Sequence, residues 1–159
     1  RSMGDWWRQL FAAAEGKNGQ GLFPTYAELP GELYTLGQML QEGRNQLFET
    51  MLRFDPPRKR LPITMDIRNL DGLNYLADRN LDYVEDQVRQ AVLAAHDDCG
   101  CPAVSIECGD LNEQTVGELL WFTQLSCNVS AYSQGLDPFS RPGVEEFRSR
   151  AFELLGRPE

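Results

Sequence analysis

Apolar residues recur at helical spacing in five parts of the chain, and this pattern predicts five helices. The first apolar stripe ends at Glu15-Gly16, with Asp5 expected to cap its start and Gly16 expected to supply a left-handed stop. Asp82 and Glu85 form an expected capping box for the third helix. The other predicted helices cover residues 31–42, residues 112–133 and the segment after Pro142.

Over residues 47–54, a strand is predicted by the alternation of Phe48, Thr50, Leu52 and Phe54 with Glu49 and Arg53. Residues 61–67 form a weaker strand candidate, and 103–108 form another short one. Strands that alternate with helices predict an α/β fold, a three-layer αβα sandwich with a small, largely parallel sheet. Because the sheet is small for so much helix, we expect the chain to be part of a larger protein.

Length and charge narrow the possible functions. The 159 residues predict one domain over 5–159, with residues 1–4 set aside as a cloning remnant or cut edge. The net charge of −9 argues against nucleic acid and anionic membranes as partners, since both select a basic surface. No apolar run approaches the roughly 20 residues of a membrane-spanning helix, and no leader peptide is recognised.

The four cysteines lack the spacing of a disulfide framework, which predicts a reducing compartment and hence a cytoplasmic protein. His96, Cys99 and Cys101 lie close enough in sequence to suggest a metal site, but a second pair of ligands is missing. We therefore expect buried or incidental thiols, with no metal and no cofactor.

Glu15 is the first candidate for a catalytic residue. It falls in the last turn of the first predicted helix, on the side of Trp7 and Phe11, where partial burial and the negative end of the helix dipole favour its protonated form. A glutamate in this setting can serve as a base near neutral pH. The alternative is an ordinary ion pair with Lys17.

Arg148 is the second candidate. It follows Val144 by four residues, which predicts a position at the edge of the buried face of the last helix. A guanidinium that is partly buried needs an anion, because an unpaired buried charge costs several kcal/mol. That anion is either a neighbouring carboxylate or an anionic ligand, such as an enolate-like oxygen.

Several segments, taken in order from Asp5 to Pro158, resemble the carboxy-terminal portion of the glucose-6-phosphate isomerase family, and in particular its Firmicutes-type bacterial members. The segments are Trp6 to Phe11, Glu15-Gly16-Lys17, Gly37-Gln38, Gln41-Glu42-Gly43, and residues 47–50, 70–77, 141–145 and 152–156. The resemblance implies a sugar-isomerase-type domain of a larger enzyme that needs no metal or cofactor.

The resemblance also implies a reaction. The family interconverts glucose 6-phosphate and fructose 6-phosphate through a cis-enediol, in glycolysis and gluconeogenesis, as a homodimer of whole chains. The amino-terminal domain with the Ser/Thr loop for the phosphosugar is missing from these residues, and so is the Gly-Gly-Arg motif whose arginine faces the enediolate. The isolated chain is therefore expected to be inactive.

The family's site residues carry over only in part. Glu15 takes the position of the catalytic base, and Lys17, in the same segment, is expected to bind substrate. Tyr34 stands where the ring-opening histidine is usual, and Arg148 where a lysine is usual. Arg141 stands where a glutamine is usual and, like Lys17, is expected to bind substrate. Two hypotheses follow: an isomerase domain in which Glu15, Tyr34 and Arg148 are catalytic, or a degenerate, non-catalytic domain for phosphosugar binding or protein interaction.

Overall fold

The computed structural model describes residues 1–44 and 46–157, which form two compact units. Unit 1 comprises Arg1–Tyr26 and the chain from Gly117 onward, and unit 2 comprises Ala27–Val116. The helices are α1 (Ser2–Glu15), α2 (Leu36–Glu42), α3 (Leu81–Asp98), α4 (Glu113–Ser133) and α5 (Pro142–Leu154). The strands are β1 (Glu49–Arg53) and β2 (Ala103–Glu107), and one 3-10 turn covers Asn74–Leu76.

The sheet of unit 2 consists of β1 and β2, paired in parallel from Glu49 opposite Ala103 to Arg53 opposite Glu107. The predicted α/β fold with a small parallel sheet is thereby confirmed. At the last pair, Arg53 Nη1 lies 2.8 Å from Glu107 Oε2. This hydrogen bond holds the pKa of Glu107 below its usual value and raises the pKa of Arg53.

A buried side-chain contact links α3 to β1 in the same unit. His96 is almost completely buried, and its Nδ1 lies 2.8 Å from Glu49 Oε1 at the start of β1. Val92, one turn earlier on α3, and Cys101 are the buried apolar neighbours in sequence. The contact between His96 and Glu49 therefore fixes the end of the long helix against the first strand.

Unit 1 is organised by one stripe of α4. Side chains four residues apart on this helix are buried, namely those of Leu119, Thr123, Cys127 and Ala131. Cys127 and Ala131 form a core cluster with Ala14 and Leu136, against which Leu10 and Phe11 of α1 pack in part. The four-residue spacing places these side chains on one face of the helix, and the part of that face at Cys127 and Ala131 packs with α1.

The helix starts differ from the predicted ones. Asp5 does not cap α1, because its N–H already bonds to the Arg1 carbonyl at 3.0 Å and the helix begins at Ser2. Gly16 has φ −70°, so the left-handed stop is also wrong. The predicted Asp82 capping box is wrong as well, since α3 begins one residue earlier, at Leu81.

Two further expectations fail in unit 2. The second helix starts at Leu36 rather than at residue 31, because the preceding residues close i to i+3 turns, such as Thr35 N–H to the Glu32 carbonyl at 3.2 Å. Residues 61–67 form no strand. Their contribution is a single antiparallel bridge between Pro62 and Asn80, and a proline cannot donate to a longer ladder.

None of the helices in the described chain has the length and apolar character to cross a lipid bilayer.

Candidate active site

Glu15 is the last residue of α1 and is 6% exposed. Its Oε1 is buried and has no hydrogen-bond partner among the described residues. Gly21 folds back onto this position with φ +87°, and a Cβ there would come within 2.6 Å of the Glu15 carbonyl oxygen. A left-handed glycine is thus required where the following loop returns to the end of α1.

The loop that precedes α5 is shaped by the end of α4. Gly135, at φ +72°, closes a Schellman motif in which its N–H bonds to Tyr132 and the Leu136 N–H bonds to the Ala131 carbonyl. Leu136 is then 4% exposed, within the core of unit 1. Asp137 follows directly, and its Oδ1 accepts a hydrogen bond from the Phe139 N–H at 2.9 Å. The side chain of Asp137 therefore sets the turn that leads to α5.

Lys17 connects this loop to the segment that carries Glu15. Its side chain is 9% exposed, and its ammonium donates a hydrogen bond to the backbone carbonyl of Asp137. The same carbonyl accepts a hydrogen bond from Ser140 Oγ at 3.2 Å. Because a buried ammonium needs an acceptor, the contact holds both segments in place. The expected alternative, an ion pair between Lys17 and Glu15, does not occur.

Arg141 and Arg148 lie at the start and in the middle of α5. Pro142 is the first helical residue, as predicted, and the Arg141 carbonyl accepts hydrogen bonds from the N–H groups of Val144 and Glu145 at 3.1 Å. Both arginine side chains are exposed. These cations are therefore open to solvent and to an anionic ligand.

The expectation that Arg148 lies at the edge of a buried face is wrong. No residue of α5 is buried, and Phe147 remains 69% exposed. The apolar stripe of α5 covers no core within the described chain. Its periodicity therefore predicted the helix correctly but predicted a buried face that the structure does not show. The Arg148 guanidinium lies over the Phe152 ring, 5.9 Å from the ring centroid, which is a cation–π contact.

Tyr34 belongs to unit 2 and precedes α2 in the turn segment. Its side chain is 93% exposed. Because its hydroxyl is exposed, Tyr34 can donate a hydrogen bond to a sugar oxygen.

Cys127 was expected only as one of four buried or incidental thiols, and its place in the core of unit 1 was not predicted. It is fully buried in the α4 stripe, and its Sγ lies 3.7 Å from the Leu10 carbonyl of α1. Burial and the charge of Glu15 raise the pKa of this thiol to about 11, while Lys17 opposes the shift. The four-residue spacing of Leu119, Thr123, Cys127 and Ala131 was the available signal for its burial.

The cysteines and His96 of unit 2 do not form a metal centre. His96 Nδ1 faces Glu49, and the thiols of Cys99 and Cys101 point to the backbone carbonyls of Leu40 and Leu47. Across residues 1–44 and 46–157, no cluster of three or more possible metal ligands is found. None of the four cysteines is joined in a disulfide within the described residues.

The most informative similarities are to bacterial enzymes. The chain is 44% identical over 154 residues to glucose-6-phosphate isomerase of Bacillus cytotoxicus and 43% identical to that of Bacillus cereus, with 97% of this chain covered in each case. Glucose-6-phosphate isomerase of Leptospira biflexa is 41% identical over 153 residues. This chain matches the carboxy-terminal part of glucose-6-phosphate isomerases over almost its whole length.

The match covers only part of each of these glucose-6-phosphate isomerases. The chain spans 34% of the length of each of the three relatives. A crystal structure of a hypothetical protein from Thermus thermophilus superimposes with a TM-score of 0.84 over 96% of this chain and 38% of the other, at 19% identity, which supports the fold. No protein-family profile matches the chain.

Proposed function

We propose that this chain supplies the proton-transfer base of a glucose-6-phosphate isomerase, within a full-length protein. The observation that carries the proposal is the buried Glu15 carboxyl, whose Oε1 is left without a hydrogen-bond partner in the described structure. Buried carboxylates are normally satisfied by hydrogen bonds, so an open oxygen is available to a substrate proton. The names of the curated relatives support the same activity.

The proposed step moves one proton between two carbons. The Glu15 carboxylate removes the proton from C2 of open-chain glucose 6-phosphate while O1 gains a proton from solvent water, which gives a cis-enediol. The proton held by Glu15 then returns to C1 as O2 gives its proton back to solvent, and fructose 6-phosphate results. The carboxylate is regenerated, and the reaction needs no oxidant, reductant or cofactor.

The remaining site residues take supporting roles. Arg148 stands in for the family's lysine as a fixed positive charge, and Arg141 contributes a second cation for the phosphosugar; both are exposed. Tyr34, also exposed, offers a hydrogen-bond donor for ring opening but is a weak proton shuttle at neutral pH, since a phenol has a reference pKa of about 10. For Lys17 we propose a positioning role, because its ammonium is engaged by the Asp137 carbonyl.

The 159-residue chain alone is proposed to be inactive, since the family's phosphate loop and enediolate arginine are absent from its sequence. Whole chains are proposed to form a cytoplasmic homodimer. The test compares the purified chain with the full reading frame in a coupled assay for fructose 6-phosphate conversion. Turnover by the full-length protein and none by the chain is the expected result. Turnover by the 159-residue chain alone would contradict the proposal that catalysis needs the rest of the full-length protein.

A second candidate function is a degenerate, non-catalytic domain that binds phosphosugar or a protein partner. It is favoured by three departures from the family pattern, at Tyr34, Arg141 and Arg148, all of which are exposed. Introducing Tyr34→His with Arg148→Lys into the full-length protein separates the two functions. A gain of several orders of magnitude over an inactive parent supports degeneracy, whereas an already active parent refutes it.

A further inference from the structure

A pocket of about 370 Å³ opens within unit 2, between the 3-10 turn and the first turns of α3. Its volume is in the range of pockets that bind small molecules. The lining combines apolar side chains with two phenol rings, one guanidinium and one amide, and consists of Tyr75, Leu76, Arg79, Tyr83, Val84, Gln87 and Val88. No residue of the proposed isomerase site is among them.

The apolar part of the lining is half-buried and is held by regular structure. Val84 and Val88 lie four residues apart on α3, which places both on one face of the helix. Leu76 ends the 3-10 turn, whose first residue, Asn74, donates its backbone N–H to Asn69 Oδ1 at 3.1 Å. This hydrogen bond ties the turn to the loop before it, so the apolar surface is formed without a ligand.

Arg79 brings the positive charge to the pocket. Its guanidinium lies over the Tyr83 ring, 4.8 Å from the ring centroid, which is a cation–π contact. The backbone of Arg79 is held on both sides, since its N–H bonds to the Leu76 carbonyl at 3.0 Å and its carbonyl accepts the Ile63 N–H at 2.8 Å. The cation is therefore positioned by its main chain and by a neighbouring ring.

No carboxylate of the described residues forms an ion pair with Arg79. Two acids of α3 are engaged by other arginines, because Asp82 lies 3.7 Å from Arg60 and Asp86 lies 2.8 Å from Arg89. A guanidinium presents two parallel N–H donors that match the two oxygens of a carboxylate. Arg79 can therefore accept an anionic group from outside the chain.

We propose that this pocket binds a small aromatic carboxylate. The carboxylate pairs with Arg79, and the ring system packs on the tyrosine rings and on the apolar surface of Val84 and Val88. A phosphosugar fits less well, because its hydroxyls would be left unpaired against the two valines. The site is thus distinct from that of the proposed isomerisation and does not depend on it.

The test measures the binding of 2-naphthoate, a fused-ring carboxylate, to the full-length protein by equilibrium dialysis. We expect saturable binding at one site per chain. The uncharged 2-naphthamide, which has the same rings, should bind about tenfold more weakly or worse, since it lacks the charge-assisted hydrogen bonds to Arg79. This comparison uses the wild-type protein, so it does not depend on whether a variant folds.

Substitutions then locate the site. Arg79→Gln should weaken the binding of 2-naphthoate about tenfold or more, and Arg79→Lys should weaken it less, because lysine keeps the charge but not the paired donors. Tyr83→Leu should weaken it roughly two- to fivefold, with Tyr83→Phe restoring wild-type binding. Arg68→Gln, at an exposed arginine of the loop before the 3-10 turn, is the matched control and should change nothing.

The proposal is overturned if the full-length protein shows no saturable binding, or if the acid and the amide bind equally well. Unchanged binding in an Arg79→Gln variant that keeps the wild-type circular dichroism would also overturn it. Binding to the 159-residue chain but not to the full-length protein would do the same, since the rest of the protein would then cover the pocket. Glu15→Gln should leave 2-naphthoate binding unchanged, so this proposal and the proposed function fail independently.

Discussion

The ammonium of Lys17 donates a hydrogen bond to the backbone carbonyl of Asp137, a residue 120 positions later in the chain. The bond joins the segment that follows Glu15 to the loop that leads into α5. Both segments carry residues for which the family resemblance implies a role. Their relative position within unit 1 thus depends on one side chain that reaches a main-chain acceptor.

Replacing Lys17 by Met should destabilise unit 1 by about 1 to 3 kcal/mol, because the substitution removes the hydrogen bond between a charged, nearly buried donor and the Asp137 carbonyl. Urea unfolding monitored by tryptophan fluorescence measures the change, with Trp6 and Trp7 on α1 as probes. The matched control is Lys59→Met, which removes the chain's other lysine from an exposed loop and should leave the midpoint unchanged. Equal urea midpoints for Lys17→Met and wild type would show that the hydrogen bond between Lys17 and Asp137 does not stabilise unit 1.

Glu49 is predicted to stabilise unit 2 through its contact with His96. Glu49→Ala leaves a buried imidazole without its partner, and we expect a loss of roughly 1 to 3 kcal/mol in the free energy of unfolding. Glu42→Ala, an exposed glutamate at the end of α2, is the control. A double-mutant cycle with His96→Ala isolates the pair, and a coupling energy of zero would show that packing, not the contact between these two side chains, holds α3 to β1.

Cys127 should make the chain more sensitive to alkali. Its pKa rises from the ordinary value of 9.0 to about 11 in the folded chain, so the folded state holds the thiol proton more tightly than the unfolded state. The stability from this difference is present below pH 9 and is lost as the pH rises towards 11. The free energy of unfolding in urea, measured from about pH 8 to pH 11, should therefore decline more steeply for the wild type than for Cys127→Ala. Parallel declines would show that the thiol is not linked to folding.

The sequence pattern predicted most elements because helix and strand periodicity follow from which side chains face a core. The α4 helix, the strands β1 and β2, and the start of α5 at Pro142 were all found close to their predicted positions. The burial of α5 could not be predicted, because its apolar stripe is unchanged whether or not a partner surface covers it. Periodicity indicates a face that can be buried, while burial itself depends on the rest of the fold.

The candidate site was predicted only where local features determine it. The position of Glu15 at the end of α1 follows from the apolar stripe and the glycine after it, and the helix ends there. The contact between Lys17 and Asp137 joins residues that no local pattern relates. The same holds for Cys127, whose proximity to α1 depends on how two helices far apart in the chain pack together.

The proposed function depends most on Glu15 acting as the base of the isomerase. The most direct measurement is the turnover of fructose 6-phosphate by full-length protein carrying Glu15→Gln, compared with wild type and with Glu153→Gln, an exposed glutamate of α5. We predict that Glu15→Gln lowers kcat by roughly 10² to 10⁴-fold, the usual contribution of a general base, while Glu153→Gln keeps the wild-type rate. Wild-type turnover in Glu15→Gln, or no turnover by the wild type itself, would contradict the claim.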